Sequence, residues 1–97
     1  MLKHIVVWRL HPSPSVRENA ERAKALLEGL AGQIPGLRHI EVGINLIDDV
    51  NAADIALYSE LDDRAALDAY QRHPLHLAVV PHIKAMASER RSVDYEV

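Results

Sequence analysis

The sequence predicts an α+β fold in the order β-α-β-β-α-β, a four-stranded antiparallel sheet with its helices on one face. Two patterns carry this prediction. Four segments have the alternation or β-branched content typical of strands, and the segments between them repeat apolar residues every three or four positions, as helices do. No repeat or change of composition divides the chain, so we expect a single domain over residues 1–97.

The first strand is predicted over Leu2 to Leu10, which is apolar on both alternating faces. One face carries Leu2, His4, Val6, Trp8 and Leu10, and the other carries Ile5 and Val7. A strand of this kind is normally covered on both sides. The prolines of residues 11–15 end it, and Ser13 or Ser15 can cap a following helix.

A helix is predicted from Pro14 to Gly32, because apolar residues recur there at spacings of four, three, four and three. These residues are Val16, Ala20, Ala23, Leu27 and Leu30. Charged residues occupy the positions between them. Gly32 and the following Pro35–Gly36 pair are typical of the end of a helix.

Two more strands are predicted at Leu37 to Asn45 and at Ala53 to Leu61, joined by a polar loop at residues 46–52. The third strand turns Ile55, Leu57 and Leu61 to one face and Asp54, Ala56, Tyr58 and Glu60 to the other. Polar side chains and a tyrosine on a strand of buried type indicate a lined cavity or an interface.

The last part of the chain predicts a helix from Asp62 to Arg72 and a strand from Arg90 to Val97. Pro74 pushes His73 out of the helical region and can start a second helical segment through Leu77, Val80, Ile83 and Met86, which we expect Pro81 to bend or fray. The resulting order of elements is a ferredoxin-like arrangement.

A homodimer is expected from the two apolar faces of the first strand. Helices cover only one face of such a sheet, and no other part of the chain is left to cover Val6 and Trp8. Two sheets packed face to face, with Trp8 in a shared lining, would remove that apolar surface from water.

The amino-acid composition and charge exclude some classes of binding partner and site. The net charge is −3 and the eleven Lys and Arg residues are scattered, which argues against a nucleic-acid surface. The apolar run after Lys3 is too short for a signal peptide or a membrane span, so we expect a cytoplasmic protein. There is no cysteine, and therefore no disulfide or thiolate site.

The candidate site residues centre on the stretch AYQRHPLHLAVVPH, residues 69–82. Tyr70 and His76, together with His4, could form a proton-transfer set, since histidine titrates near neutrality and a tyrosine hydroxyl can hold an enolate oxygen. The alternative is that these rings pack in the core and only satisfy hydrogen bonds.

Other candidates have structural alternatives. His73, just before Pro74, can bond free backbone groups between the two helical segments. A zinc site at His73 and His76 lacks a third ligand and a regular helical spacing, so neither a metal nor another cofactor is expected. Asp54 or Glu60 could orient His4 or His76, although Asp54 could equally pair with Arg91.

Five segments together resemble the stress-responsive dimeric α/β-barrel (Dabb) family: KHIVVWRL, IPGLRHIEVGIN, ADIALYSEL, ALDAYQRHPLH and RRSVDYEV. The likeness spans nearly the whole chain, and these segments come in the family's order and spacing. It implies a ferredoxin-like protomer whose sheet packs against that of a second copy, with a cavity in each half of the resulting barrel.

The resemblance also implies roles for residues. In the polyketide cyclase-type members, the tyrosine and the last histidine of a YxxHPxH segment act on substrate, and they match Tyr70 and His76. A pocket histidine of the first strand matches His4, whereas another, near the third strand, is replaced by Asp54. This replacement argues against the same substrate and reaction.

Two hypotheses follow for the function. The cavity binds a small hydrophobic or polyketide-like ligand without turnover, or the protein is a cofactor-independent cyclase or keto–enol isomerase in which His76 is the base and Tyr70 its oxyanion partner. The candidate ligand-binding residues are His4, Trp8, Asp54 and His73.

Overall fold

The computed structural model describes residues 1–97. Its sheet consists of β1 (Leu2–Leu10), β2 (Leu37–Ile44), β3 (Ile55–Leu61) and β4 (Ala87–Glu96), all antiparallel, in the order β2-β3-β1-β4. Its helices are α1 (Val16–Glu28), α2 (Arg64–Arg72) and α3 (Pro74–Met86), and their buried residues join one face of the sheet in a single core. The predicted fold class is confirmed, with an additional helix that makes the order β-α-β-β-α-α-β.

The break between α2 and α3 arises at Pro74. His73 is extended there, and its Nδ1 accepts a hydrogen bond from the Leu75 amide at 3.1 Å, which caps α3. The helix reaches Met86, as predicted, but the expected fraying at Pro81 is wrong, because Ile83 and Met86 are buried in the core while Pro81 lies on the exposed side. No helix combines the length and apolar character needed to cross a membrane.

The α1 boundaries differ from the prediction by a few residues. The helix proper begins at Val16 and ends at Glu28, followed by turns at residues 29–33. Ser15 occupies the capping position without a side-chain cap, and the Ser13 hydroxyl accepts from the Ser15 amide instead. The predicted apolar stripe is confirmed, since Ala20, Ala23, Leu27 and Leu30 are all buried.

The two faces of β1 are assigned differently from the prediction. Val6 and Trp8 are only 1% and 6% exposed in the single chain, because they share a face with Leu2, His4 and Leu10, and the helices cover that face. The expectation that a second copy covers Val6 and Trp8 is therefore wrong. Alternation groups the residues of a face correctly, but it does not say which face the helices take.

The face without helices, called here the outer face, carries Ile5 and Val7 of β1. The central row of this face runs from Tyr58 through Ile5 to Val93, as the strand register shows. Val93 and Tyr95 remain 52% and 42% exposed. The outer face thus presents an apolar patch, and Ile5, not Trp8, is the β1 residue at its centre.

Gly36 is expected to be the glycine least tolerant of substitution. Its φ is +85°, and a Cβ added there would lie 2.7 Å from the Ala66 Cβ. Gly36→Ala should lower the free energy of unfolding by about 2–3 kcal/mol, since a non-glycine residue in the left-handed region costs about 1–3 kcal/mol before any overlap. Urea denaturation measures the change.

Two other glycines distinguish the effect of a positive φ from the effect of steric overlap. Gly32 has a φ of +73° but open space around it, and Gly43 has open space without a positive φ. Gly32→Ala should lower the free energy of unfolding by about 1 kcal/mol, and Gly43→Ala should change it by less than about half of that. Equal losses in all three variants would contradict the assignment.

Candidate functional site

Three of the predicted rings meet at the junction of β1, α2 and α3. The ring centroids of Tyr70 and His76 are 4.5 Å apart, and those of His4 and Tyr70 are 6.2 Å apart. The chain achieves this because β1 turns His4 toward the helices, while the break at Pro74 folds the first turn of α3 back onto the end of α2. We call His4, Tyr70 and His76 the ring cluster.

Tyr70 is the most deeply buried member of the ring cluster. Its side chain is 0% exposed, and its hydroxyl has no hydrogen-bond partner. Burial raises the pKa of Tyr70 to about 12, so the phenol stays protonated at neutral pH. An unpaired buried hydroxyl costs about 1–3 kcal/mol, and each such group calls for an explanation. A ligand oxygen accepting from it would supply the missing partner.

His76 is a half-buried imidazole suited to take up a proton. Burial lowers its pKa below the ordinary value of 6.5, and nearby His4 and Arg90 act in the same direction, although a hydrogen bond to the Gln71 carbonyl opposes them. His76 Nδ1 lies 3.2 Å from that carbonyl oxygen. Because a carbonyl only accepts, Nδ1 carries the hydrogen, and Nε2 is left with a free lone pair.

His4 is held from two sides. Its Nδ1 hydrogen-bonds to the Asp94 carboxylate, and its backbone carbonyl accepts from the buried Ser59 hydroxyl at 3.1 Å. The carboxylate keeps the hydrogen on Nδ1, which fixes the tautomer and leaves Nε2 as the acceptor in the neutral ring.

The carboxylates predicted to orient the ring cluster do not do so. Asp54 accepts from the Leu10 amide at 2.6 Å, at the opposite end of β1 from His4, and forms no ion pair with Arg91. Glu60 accepts from the Tyr58 hydroxyl at 2.6 Å on the outer face. The orienting carboxylate is Asp94, which is paired with His4 across β1 and β4.

Sequence reasoning missed Asp94 because only the β1–β4 register identifies it. Asp94 lies in a strand of mostly exposed and charged residues, so its sequence context does not distinguish it from a surface carboxylate. Asp94 could have been found from the sequence only by assuming that the first and last strands pair with His4 opposite Asp94.

A cavity of about 460 Å³ opens beside the ring cluster, between α3 and the start of β4; we call it the α3–β4 cavity. Its lining residues are Trp8, His76, Val80, Lys84, Ala87, Ser88, Glu89 and Arg90. This volume falls in the range of small-molecule sites, about 300–1,000 Å³. The indole of Trp8 therefore belongs to both the core and the cavity wall.

Three of the four predicted ligand-binding residues, His4, His73 and Asp54, do not line the α3–β4 cavity, whereas Trp8 does. His4 lies in the ring cluster instead. His73 caps α3 through the Leu75 amide, as its structural alternative predicted. Asp54 lines separate depressions near Asn45. No group of three His, Asp or Glu side chains in the structure is arranged to hold a metal ion, so His73 and His76 have no third partner of that kind.

Comparisons with known proteins agree with this description. The family described as Stress responsive A/B Barrel Domain (Dabb) matches residues 2–97. An uncharacterized protein of Streptomyces coelicolor is 36% identical over 85 residues, which cover 82% of this chain and 84% of that protein.

Solved structures extend the likeness to the whole fold. A dimeric protein of unknown function with a ferredoxin-like fold, from Bacteroides fragilis, has a TM-score of 0.88 and 33% identity, covering 99% of this chain and 95% of that one. A Dabb family protein from Mesorhizobium loti has a TM-score of 0.76 and 26% identity, covering 99% and 95% of the two chains. The chain thus belongs to the stress-responsive A/B barrel (Dabb) family.

Proposed function

We propose that the protein is a cofactor-independent catalyst of proton transfer at an acidic carbon, acting on a small hydrophobic or polyketide-like compound with neighbouring carbonyl groups. One observation carries the proposal: the Tyr70 hydroxyl is buried and unpaired, and the Tyr70 ring lies near two imidazoles. Of the ring cluster only His76 lines the α3–β4 cavity, so a carbonyl oxygen entering from that cavity would have to reach past His76 to accept this hydrogen bond.

The proposed reaction uses the protonation states described above. His76 Nε2 removes a proton from the carbon flanked by carbonyl groups, while the Tyr70 hydroxyl donates to the oxygen on which the enolate charge develops. His76 then returns the proton to another position of the enolate, which gives isomerisation. Alternatively, the enolate carbon attacks a second carbonyl of the same molecule, and His76 gives the proton to the alkoxide that forms, which gives cyclisation. Asp94 holds His4 as the second imidazole beside the phenol.

Deuterium exchange at the acidic carbon of a β-keto ester in D₂O tests the proposal. We expect the wild type to exceed buffer alone, and His76→Ala to lose about 10²-fold or more of the enzyme-dependent rate, the usual contribution of a general base. An NMR titration of the His76 ring should give a midpoint below 6.5, as its lowered pKa requires.

His82→Ala is the matched control, because His82 is an exposed imidazole on the same helix that contacts Arg22 instead of the ring cluster. It should exchange like the wild type. A wild-type rate no faster than buffer, or equal losses in the two alanine variants, would remove the support for catalysis on such substrates.

Binding without turnover is the second candidate, and one observation favours it. No hydrogen bond links the Tyr70 hydroxyl to His4 or His76, so the ring cluster is not joined into a proton relay in the absence of ligand. In that case the same β-keto ester should raise the melting temperature without accelerating exchange.

We further propose that the protein forms a homodimer through its outer face. The related Bacteroides fragilis structure is described as dimeric. In this chain, the exposed Val93 and Tyr95 flank the partly buried Ile5, and no helix covers them. A second copy packed on this patch would enlarge the small apolar core that a chain of this length can bury alone.

A further inference from the structure

Two cations without carboxylate partners line the α3–β4 cavity. Lys84 lies in the last turn of α3, and Arg90 lies opposite Trp8 on β4. Lys84 forms no ion pair or side-chain hydrogen bond in the structure, and the only acceptor of the Arg90 guanidinium is the Ser92 hydroxyl, at 3.5 Å. Both cations are therefore free to bind an anion.

The remaining basic residues have better partners. Six of the eleven Lys and Arg residues pair with carboxylates: Lys3, Arg17, Lys24, Arg38, Arg64 and Arg72. Arg9 donates to two backbone carbonyls, Arg22 contacts His82, and Arg91 donates to a carbonyl. The two cations with the fewest hydrogen-bond and ion-pair partners, Lys84 and Arg90, thus line the same cavity, and His76 lines it as well.

The lining of the cavity is polarised. Glu89 is its single acidic residue, against Lys84 and Arg90, so the fixed charges leave a net of one positive charge while His76 is neutral. The remaining wall is mainly apolar, with the Trp8 indole and the Val80 side chain. An apolar wall with a cationic rim matches a molecule that has an apolar body and an anionic end.

We infer that the α3–β4 cavity selects compounds with an apolar body and one carboxylate, which Arg90 and Lys84 bind while the body lies against Trp8. The guanidinium can hold a carboxylate through two parallel hydrogen bonds, and the ammonium adds a second positive charge. If the protein catalyses the proposed reaction, this inference makes keto acids its substrates, and to that extent it rests on the proposed function. The binding preference for a carboxylate does not depend on turnover.

A matched pair of probes isolates the carboxylate. The anion 4-phenylbutyrate and its neutral amide, 4-phenylbutyramide, have the same apolar body, and neither has a ketone. We propose titrating both into the protein while following the Trp8 indole N–H by NMR. The carboxylate should bind about tenfold more tightly than the amide, and raising the salt concentration should reduce this difference.

Variants that replace a charged side chain by a neutral one show which residues cause the preference for carboxylate. Arg90→Gln and Lys84→Gln should each weaken carboxylate binding about three- to tenfold, and the double variant should abolish the preference for carboxylate over amide. Glu89→Gln should strengthen carboxylate binding. Arg17→Gln is the control, because it removes one positive charge on α1, away from this cavity, and should change neither affinity.

Equal affinities for the two probes, an absence of Trp8 shifts with both at millimolar concentration, or equal effects of Arg17→Gln and Arg90→Gln would overturn the inference. The deuterium-exchange experiment stands apart from these outcomes. A carboxylate preference without exchange would support the inference and count against catalysis on the β-keto ester, whereas exchange without a carboxylate preference would do the reverse.

Discussion

Tyr70→Phe is expected to make the protein more stable and, at the same time, to remove most of its exchange activity. The Tyr70 hydroxyl has no hydrogen-bond partner in the core, so its removal should raise the free energy of unfolding by about 1 kcal/mol. The same hydroxyl is the proposed donor to the enolate oxygen, and loss of one such donor lowers a rate by about 10²–10³-fold. Urea denaturation and deuterium exchange measure the two effects.

Tyr58→Phe provides the control, since the Tyr58 hydroxyl donates to Glu60 at 2.6 Å on the outer face, away from the ring cluster. This variant should lose a few tenths of a kcal/mol up to about 1 kcal/mol of stability and keep its exchange rate. A destabilised Tyr70→Phe would mean that the hydroxyl has a partner after all. An unchanged exchange rate in Tyr70→Phe would take the phenol out of the mechanism.

Ile5→Asp is expected to convert the proposed dimer into a folded monomer. Ile5 lies in the centre of the outer face, between Tyr58 and Val93 in the strand register. A second sheet packed there would desolvate the new carboxylate, which costs several kcal/mol, so the dimer dissociation constant should rise by about 10³-fold or more. Sedimentation velocity at micromolar concentration measures the change.

Leu77→Asp is the matched control. Leu77 is a similarly large apolar residue, 53% exposed on α3, on the helix side of the molecule. The same carboxylate there should leave the dimer intact, and circular dichroism should show that both variants are folded. A monomeric wild type, or an Ile5→Asp variant that stays dimeric at the same concentration, would exclude the outer face as the interface.

Local patterns predicted the elements well, because each depends on residues close in sequence. The alternation of Ile55, Leu57 and Leu61 identifies β3, and Pro74 correctly separates two helical segments. Apolar spacing also extended that second segment to Met86, but it did not show that the helix passes Pro81 without fraying. The continuation through Pro81 depends on the burial of Ile83 and Met86 by parts of the chain distant in sequence.

The site likewise has features that the sequence indicated and features that depend on contacts distant in sequence. The resemblance indicated His4, Tyr70 and His76, and the structure places these rings side by side, although their roles stay predictions. The position of Asp94 beside His4 depends on the register between the first and last strands. The expected place of Trp8 in a dimer lining was wrong for a related reason, because alternation does not tell which face of a strand the helices cover.

The division of the sheet into a helix-covered face and a bare face has a consequence for how two copies would work together. His4 of the ring cluster lies on the helix-covered face, and the α3–β4 cavity opens between a helix and β4, so neither needs a residue from a copy packed on the outer face. Each subunit therefore contains a full set of the proposed groups. Saturation should be hyperbolic, and a mixed dimer of one intact and one inactivated subunit should keep half the turnover of the intact pair.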